Sequence, residues 1–233
     1  LDLARHGWRV AVHYGRSAIE AEEVVEAIRQ AGGQAVALDG DLTREREVER
    51  LVPRAVQALG PLTCLVNNAS TFLMDTAHTV TRQSWDAHME ANLRAPFVLS
   101  QAFARQVPAD LHGNIINLLD QRVWNLTPYF ISYTVSKMGL WTLTRTLALA
   151  LAPRIRVNGI GPGPTLPSIR QTPEQFAAQC AAMPLRRGTT PQEIAEAVRF
   201  ILSAPAMTGQ MIALDGGQHL AWHLPGHGTT VDE

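Results

Sequence analysis

The sequence predicts an α/β fold: a parallel sheet with helices on both of its faces. Two observations carry this expectation. Short apolar runs of strand length alternate with longer amphipathic segments along the whole chain. Gly and Pro punctuate the joints, as at Gly32-Gly33, Gly60-Pro61 and Gly161-Pro162-Gly163-Pro164. No linker, repeat or low-complexity block interrupts the pattern. Residues 1–233 therefore read as one domain, with 223–233 a Gly-rich, polar and loose tail.

In order, the chain opens inside a helix over 1–6 that Gly7 ends, and 8–14 reads as a strand. Ser17 and Glu20 have capping-box spacing and start a helix to about residue 31. Residues 34–39 form a strand, 43–59 a helix and 62–66 a strand that runs into Asn67-Asn68-Ala69-Ser70. One long helix is expected over 81–106, a strand over 114–118 and a second long helix over 131–151. A strand over 154–158 precedes the Gly-Pro-Gly-Pro loop. Thr172-Pro173 and Thr190-Pro191 each place a cap and a first-turn proline ahead of a shorter helix. The last strand, 211–214, leads into Asp215-Gly216-Gly217.

The totals exclude several functions. With 20 basic and 21 acidic residues there is no charge field for nucleic acid or a membrane surface. No apolar run has bilayer length. Cys64 and Cys180 make neither a disulfide framework nor a metal cluster. Cys64 reads as a small core residue, and the cytoplasm is the default compartment. His219, His223 and His227 recur every four residues, but Pro225 and nearby glycines break any helix there, so no metal is expected.

The chemistry concentrates between residues 117 and 137. Tyr133 and Lys137 are one helical turn apart, on one face. An ammonium beside a phenol favours the phenolate, which predicts a lowered phenol pKa and proton transfer near neutral pH. Asp120 follows the 114–118 strand and precedes Tyr133 by 13 residues.

Asn67-Asn68-Ala69, Asn92 in a helix, Tyr133-x-x-x-Lys137, Pro162-Gly163 and Asp215-Gly216-Gly217 occur in the order found in short-chain dehydrogenases/reductases. The resemblance covers nearly the whole chain. It implies a doubly wound, Rossmann-type α/β sheet with the cofactor across the carboxyl ends of the strands. The family's first strand and Gly-rich phosphate turn should precede Leu1. The expectation is that the sequence lacks its true start, which would leave two central strands without a partner. The glycines that meet the pyrophosphate cannot be named.

For the cofactor, an acid at the end of the 8–14 strand would select NAD. Here His13-Tyr14-Gly15-Arg16-Ser17 has none. Arg16 offers a fork to a phosphate and Ser17 a hydroxyl at a helix start, which favours NADP(H). The plain alternative is a solvated Arg16 and a capping Ser17. The resemblance further implies Asp41 and Leu42 beside the adenine, and Asn68, Ala69 and Ser70 at the ribose and pyrophosphate. It puts Pro162, Gly163 and Thr165 on the nicotinamide side, with Tyr133 and Lys137 at the nicotinamide ribose. Asp41 alone would read as a turn residue.

For the substrate, the family usually has Ser where this chain has Asp120. A carboxylate accepts hydrogen bonds and repels a carbonyl oxygen, so it suits the N–H groups of a nitrogen heterocycle. The arrangement resembles pteridine reductases and the bacterial dihydromonapterin and dihydrofolate reductases of the family. This implies reduction of a pterin-like C=N bond by Asp120, Tyr133 and Lys137, with Asn92 holding a water that links Lys137 to solvent. Phe72 would stack on the ring, Ser70 would touch both ring and cofactor, and Trp124 would line the pocket. The competing readings are a generic carbonyl reductase or alcohol dehydrogenase, and a non-catalytic NADP-binding protein. Family members are commonly homotetramers.

Overall fold

The computed structural model of the protein describes residues 1–221. Strands β1 (Val10–Tyr14) and β2 (Ala35–Asp39) pair in parallel. Strands β3 (Cys64–Asn67), β4 (Gly113–Leu118), β5 (Ile155–Pro162) and β6 (Met211–Leu214) pair in parallel in that order. Helix α1 (Asp2–Arg5) precedes β1, and the connections are α2 (Ala18–Gln30), α3 (Glu45–Leu59), α4 (Arg82–Met89), α5 (Ala95–Gln106), α6 (Ile131–Ala150), α7 (Pro173–Ala181) and α8 (Pro191–Ser203). Parallel pairing demands such crossovers, because no tight turn can reverse the chain twice. The expected α/β sheet with helical layers is therefore present.

Neighbouring residues of β4 show both layers. Ile115 enters a core with Phe103, Leu147 and Val157, beneath α5 and α6. Ile116 enters the opposite core with Ile160, Val198 and Ile201, beneath α8. Both isoleucines are 0% exposed. Burying each side chain contributes about 1.5–3 kcal/mol.

The ladder is interrupted between β1 and β3. Among the described residues β1 pairs with β2 alone and β3 with β4 alone, so the two facing edges lack strand partners. A cleft of about 340 Å³ lies there, lined by Val10, Ala11, His13, Val66, Asn67 and Asn68 among others. Apolar contacts span the break: Leu38, Leu51 and Ala55 share a cluster with Leu62 and Leu99. Cys64, expected in the core, is only half-buried and faces the cleft.

Three local expectations need correction. Ser17 is the N-cap of α2, but its side chain makes no capping bond, and the box with Glu20 does not form. Its φ of −88° and ψ of 61° depart from the extended geometry that aims a cap oxygen at the first amides. Thr81, Thr172 and Thr190 are extended there and do form reciprocal boxes, with Ser84, Gln175 and Glu193. Second, the helix over 81–106 contains a π segment, Glu90–Arg94, between α4 and α5. Third, β5 runs on through Pro162 rather than stopping at 158. Its glycines permit close packing: a Cβ on Gly159 would lie 2.5 Å from Leu119 Cδ1, and one on Gly161 would lie 2.9 Å from Met211 Sδ. Pro162 ends the strand, where its missing N–H is least costly. The tail over 223–233, with His223 and His227, lies outside the described residues. No described helix is long and apolar enough to cross a membrane.

Candidate active site

A buried polar ladder fixes α6 against the sheet. Asn67 Nδ2 donates to Asn117 Oδ1 at 2.8 Å, and Asn117 Nδ2 donates to Thr144 Oγ1 at 2.8 Å. β4 ends at Leu118, and Leu119 N still bonds Ile160 O at 2.7 Å. The chain then leaves the sheet at Asp120. One Asp120 oxygen, Oδ1, accepts from Arg122 N at 2.8 Å and caps a short 3₁₀ turn, Gln121–Val123. The other, Oδ2, accepts from Tyr133 Oη at 2.8 Å. Lys137, a turn further along α6, donates from Nζ to Leu118 O at 2.7 Å. Sequence separation of 13 and helical spacing of four thus bring Asp120, Tyr133 and Lys137 to the carboxyl end of β4.

The protonation expected for this pair is reversed. Burial pushes the Tyr133 phenol well above its ordinary value, and the Asp120 charge and hydrogen bond add to the rise. The Arg122 guanidinium opposes it. Lys137 is pulled down to about 8 by burial, with Asp120 opposing. Helical spacing brings an ammonium near the phenol but fixes neither its partner nor the burial of the pair. In the fold the ammonium is bound to a backbone carbonyl, 5.7 Å from the Tyr133 ring centroid, and the phenol proton points at a carboxylate.

Aromatic groups line the other side of Tyr133. Phe72 stacks on Phe130 at 4.4 Å between centroids and 10° between planes, and meets Tyr133 edge-on at 4.6 Å. Arg170 lies 5.1 Å from the Phe72 centroid and Arg122 lies 5.0 Å from that of Phe130. Arg122 is 5% exposed, with Nε 4.0 Å from Asp120 Oδ1. Sequence reasoning missed Phe130, Arg122 and Arg170. They belong to no motif, and only the fold brings 72, 122, 130 and 170 together.

Asn92 sits in the π segment and is 1% exposed. Its Oδ1 accepts from Thr71 N at 2.7 Å and Ser70 Oγ at 3.2 Å; its Nδ2 donates to Thr71 O at 2.9 Å and Ser136 Oγ at 3.1 Å. The side chain is therefore engaged in clamping the loop after β3 to α6. Ser70 is drawn in by the same clamp. Trp124 is half-exposed and packs edge-on to His219 at 5.1 Å.

The residues expected at the cofactor fall into separate groups, each at the carboxyl end of a strand. His13 Nε2 contacts Gly40 O at 2.8 Å, tying the end of β1 to the end of β2. Arg16 and Ser17 follow, exposed. Asp41 forms a turn with Thr43: the Thr43 hydroxyl first, then its amide, hold the carboxyl below its usual value, with Arg16 contributing. Leu42 packs into the apolar cluster beside α3. Asn68 and Ala69 line the cleft, as does Asn67, whose Oδ1 is buried without a partner. Beyond β5, a Cβ on Gly163 would fall 2.8 Å from Asp215 Cα, so the Pro162-Gly163 and Asp215-Gly216-Gly217 motifs form one contact. Thr165 Oγ1 donates to Gly163 O at 3.0 Å. An exposed guanidinium and a hydroxyl at a helix start fit a phosphate, and the unpartnered amide oxygen of Asn67 fits a hydroxyl or amine donor of the same dinucleotide.

A parallel sheet with a Tyr–Lys pair and a carboxylate at its strand ends defines an oxidoreductase of the nucleotide-binding α/β class. Residues 1–219 match the family model described as enoyl-(acyl carrier protein) reductase, and the chain belongs to the short-chain dehydrogenase/reductase family. It is similar to the FolM alternative dihydrofolate reductase 1 of Brucella suis, solved in complex with NADP. That match has 48% identity and a TM-score of 0.93, covering 96% of this chain and 90% of that one. The Brucella canis counterpart, also complexed with NADP, gives 46% identity, a TM-score of 0.91 and coverage of 98% and 91%. A probable 2,4-dienoyl-CoA reductase of Bacillus subtilis is 32% identical over 93% of this chain and 89% of its own.

Proposed function

We propose that the protein is an NADPH-dependent reductase of a pterin-like C=N bond, with dihydropterins and dihydrofolate as the substrate class. The observation that carries this reading is the Tyr133 Oη to Asp120 Oδ2 hydrogen bond of 2.8 Å. It puts an acceptor where a carbonyl reductase needs a donor, which favours N–H groups over a carbonyl oxygen. Likeness to the two Brucella enzymes supports both the cofactor and the substrate class.

Bound NADPH supplies the hydride that adds to the carbon of the C=N bond. Arg16 and Ser17 would hold its 2′-phosphate, Asn68, Ala69 and Ser70 the ribose and pyrophosphate, and Lys137, Gly163 and Thr165 the nicotinamide side. Asp120 accepts ring N–H groups and orients the heterocycle. Tyr133 reaches neutral pH protonated, because burial and Asp120 disfavour its phenolate. It thus holds a proton that can pass to the ring nitrogen, once that proton leaves its bond to Asp120 Oδ2. Arg122 and Lys137 offset the negative charge left on the phenol oxygen. Phe72 and Phe130, stacked on each other, supply the aromatic wall that the ring meets.

The test is NADPH oxidation followed with dihydrobiopterin, dihydromonapterin and dihydrofolate, against a panel of ketones, alcohols and a 2,4-dienoyl-CoA. Turnover of the pterins is expected, falling about 10²-fold or more in Tyr133→Phe. Turnover confined to ketones or to the dienoyl thioester would overturn the reading.

A further inference from the structure

The site described so far leaves a second buried polar cluster unused. His88 of α4 and Ser132 of α6 are each 0% exposed, and Asp75, from the loop after β3, is 1% exposed. Leu73 N, which can only donate, bonds His88 Nε2 at 2.9 Å. That nitrogen must be bare, so the imidazole proton sits on Nδ1 and is donated to Ser132 Oγ at 2.6 Å. The Ser132 hydroxyl in turn donates to Asp75 Oδ2, in a short contact. The chain of bonds runs one way only, and only neutral His88 completes it. Burial also lowers the His88 pKa, which favours that state.

The direction excludes hydrolytic chemistry. In a nucleophilic triad the histidine accepts from the serine; here it donates to a serine that solvent does not reach. The cluster instead joins elements. Phe130 begins α6 with φ of 58° and has no capping side chain. Asp75, 57 residues before Ser132, provides the cap: its Oδ1 accepts from Ser132 N at 3.2 Å, and its backbone O accepts from Phe130 N at 2.7 Å. Phe72 lies between two amides held by buried side chains, Thr71 N by Asn92 and Leu73 N by His88. Ser132 lies between Phe130 and Tyr133, the two rings that Phe72 touches.

We propose that His88, Ser132 and Asp75 are positioning residues that hold Phe72 against Tyr133, and so fix the aromatic wall that the substrate ring meets. The inference rests on the reading that the substrate binds beside these two rings. It does not depend on which substrate that is.

The experiment compares Ser132→Ala, His88→Leu and His88→Gln in the full protein. Each is measured for KM and kcat with whichever panel substrate the wild type reduces, for NADPH Kd, for melting temperature, and for amide exchange of residues 71–76. His88→Gln retains an acceptor for Leu73 N and a donor for Ser132. The expected result for Ser132→Ala and His88→Leu is a substrate KM raised by about tenfold or more. Exchange at 71–76 should be faster, NADPH Kd unchanged, and His88→Gln should restore both readouts toward wild type. A merely structural role would lower melting temperature and active fraction with both constants unchanged, and that result overturns the proposal. So does a loss of NADPH affinity in step with substrate KM. A wild type that reduces no panel substrate defeats the proposed function alone. The exchange pattern then decides this inference, and unaltered exchange at 71–76 in Ser132→Ala overturns it.

Discussion

At Lys137, burial and charge pull in opposite directions. Water is excluded from the ammonium, which lowers its pKa to about 8, while Asp120 draws it upward. The unfolded side chain titrates near its ordinary value of 10.5. Between these values the unfolded chain binds more protons than the folded one, so this residue's contribution to stability rises with pH across the window. It is lost as pH falls through the folded value. The urea midpoint of wild type relative to Lys137→Met, without cofactor, should therefore rise from about pH 7 to about pH 9.5. A constant difference would show that Lys137 is not desolvated. The spacing of Tyr133 and Lys137 was legible in the sequence because a helix has a fixed period. Their protonation was not, since it depends on burial and on the Leu118 carbonyl, which no spacing announces.

The π segment illustrates what an element adds. An extra residue within the helix between α4 and α5 falls where Asn92 must reach Thr71, Ser70 and Ser136 at once. Replacing Asn92 with Ala strands Thr71 N and O in a region with little water. Destabilisation of about 1–3 kcal/mol is expected, measured by urea unfolding. A variant within error of wild type would mean that water replaces the amide freely. Strand and helix order could be read from periodicity, because it is a local property. The π segment, the run of β5 through Gly161 and Pro162, and the failed cap at Ser17 could not be. The first two depend on a partner far along the chain: Thr71 for Asn92, and β6 for Gly161 and Pro162. The cap at Ser17 depends on backbone angles that residue identity leaves open. The same limit hid His88, Ser132 and Asp75, whose bonds span 44 and 57 residues.

At the largest scale, the strands of the described residues form two ladders with a cleft between them. The β1–β2 ladder has two strands, and every residue of β1 is only partly buried, whereas most of β4 is fully buried. A two-stranded ladder is marginal alone and depends here on α2, α3 and the cluster around Leu51. Its amides should open at lower free energy than those of β4 and β5. In the proposed function the dinucleotide touches both parts, meeting Arg16, Ser17 and Asp41 beyond β1 and β2 and Asn68 and Lys137 beyond β3 and β4. Opening β1–β2 would then require release of the cofactor. At about 100 times Kd, NADPH adds about 2.7 kcal/mol to that opening, and β1 amides should exchange about a hundredfold more slowly. The amides of β4, already protected by the global core, should change far less. Hydrogen exchange with and without NADPH measures both. Equal protection of β1 and β4 without cofactor would contradict the weak-ladder argument. Unequal protection that NADPH leaves unchanged would contradict the bridging position of the cofactor.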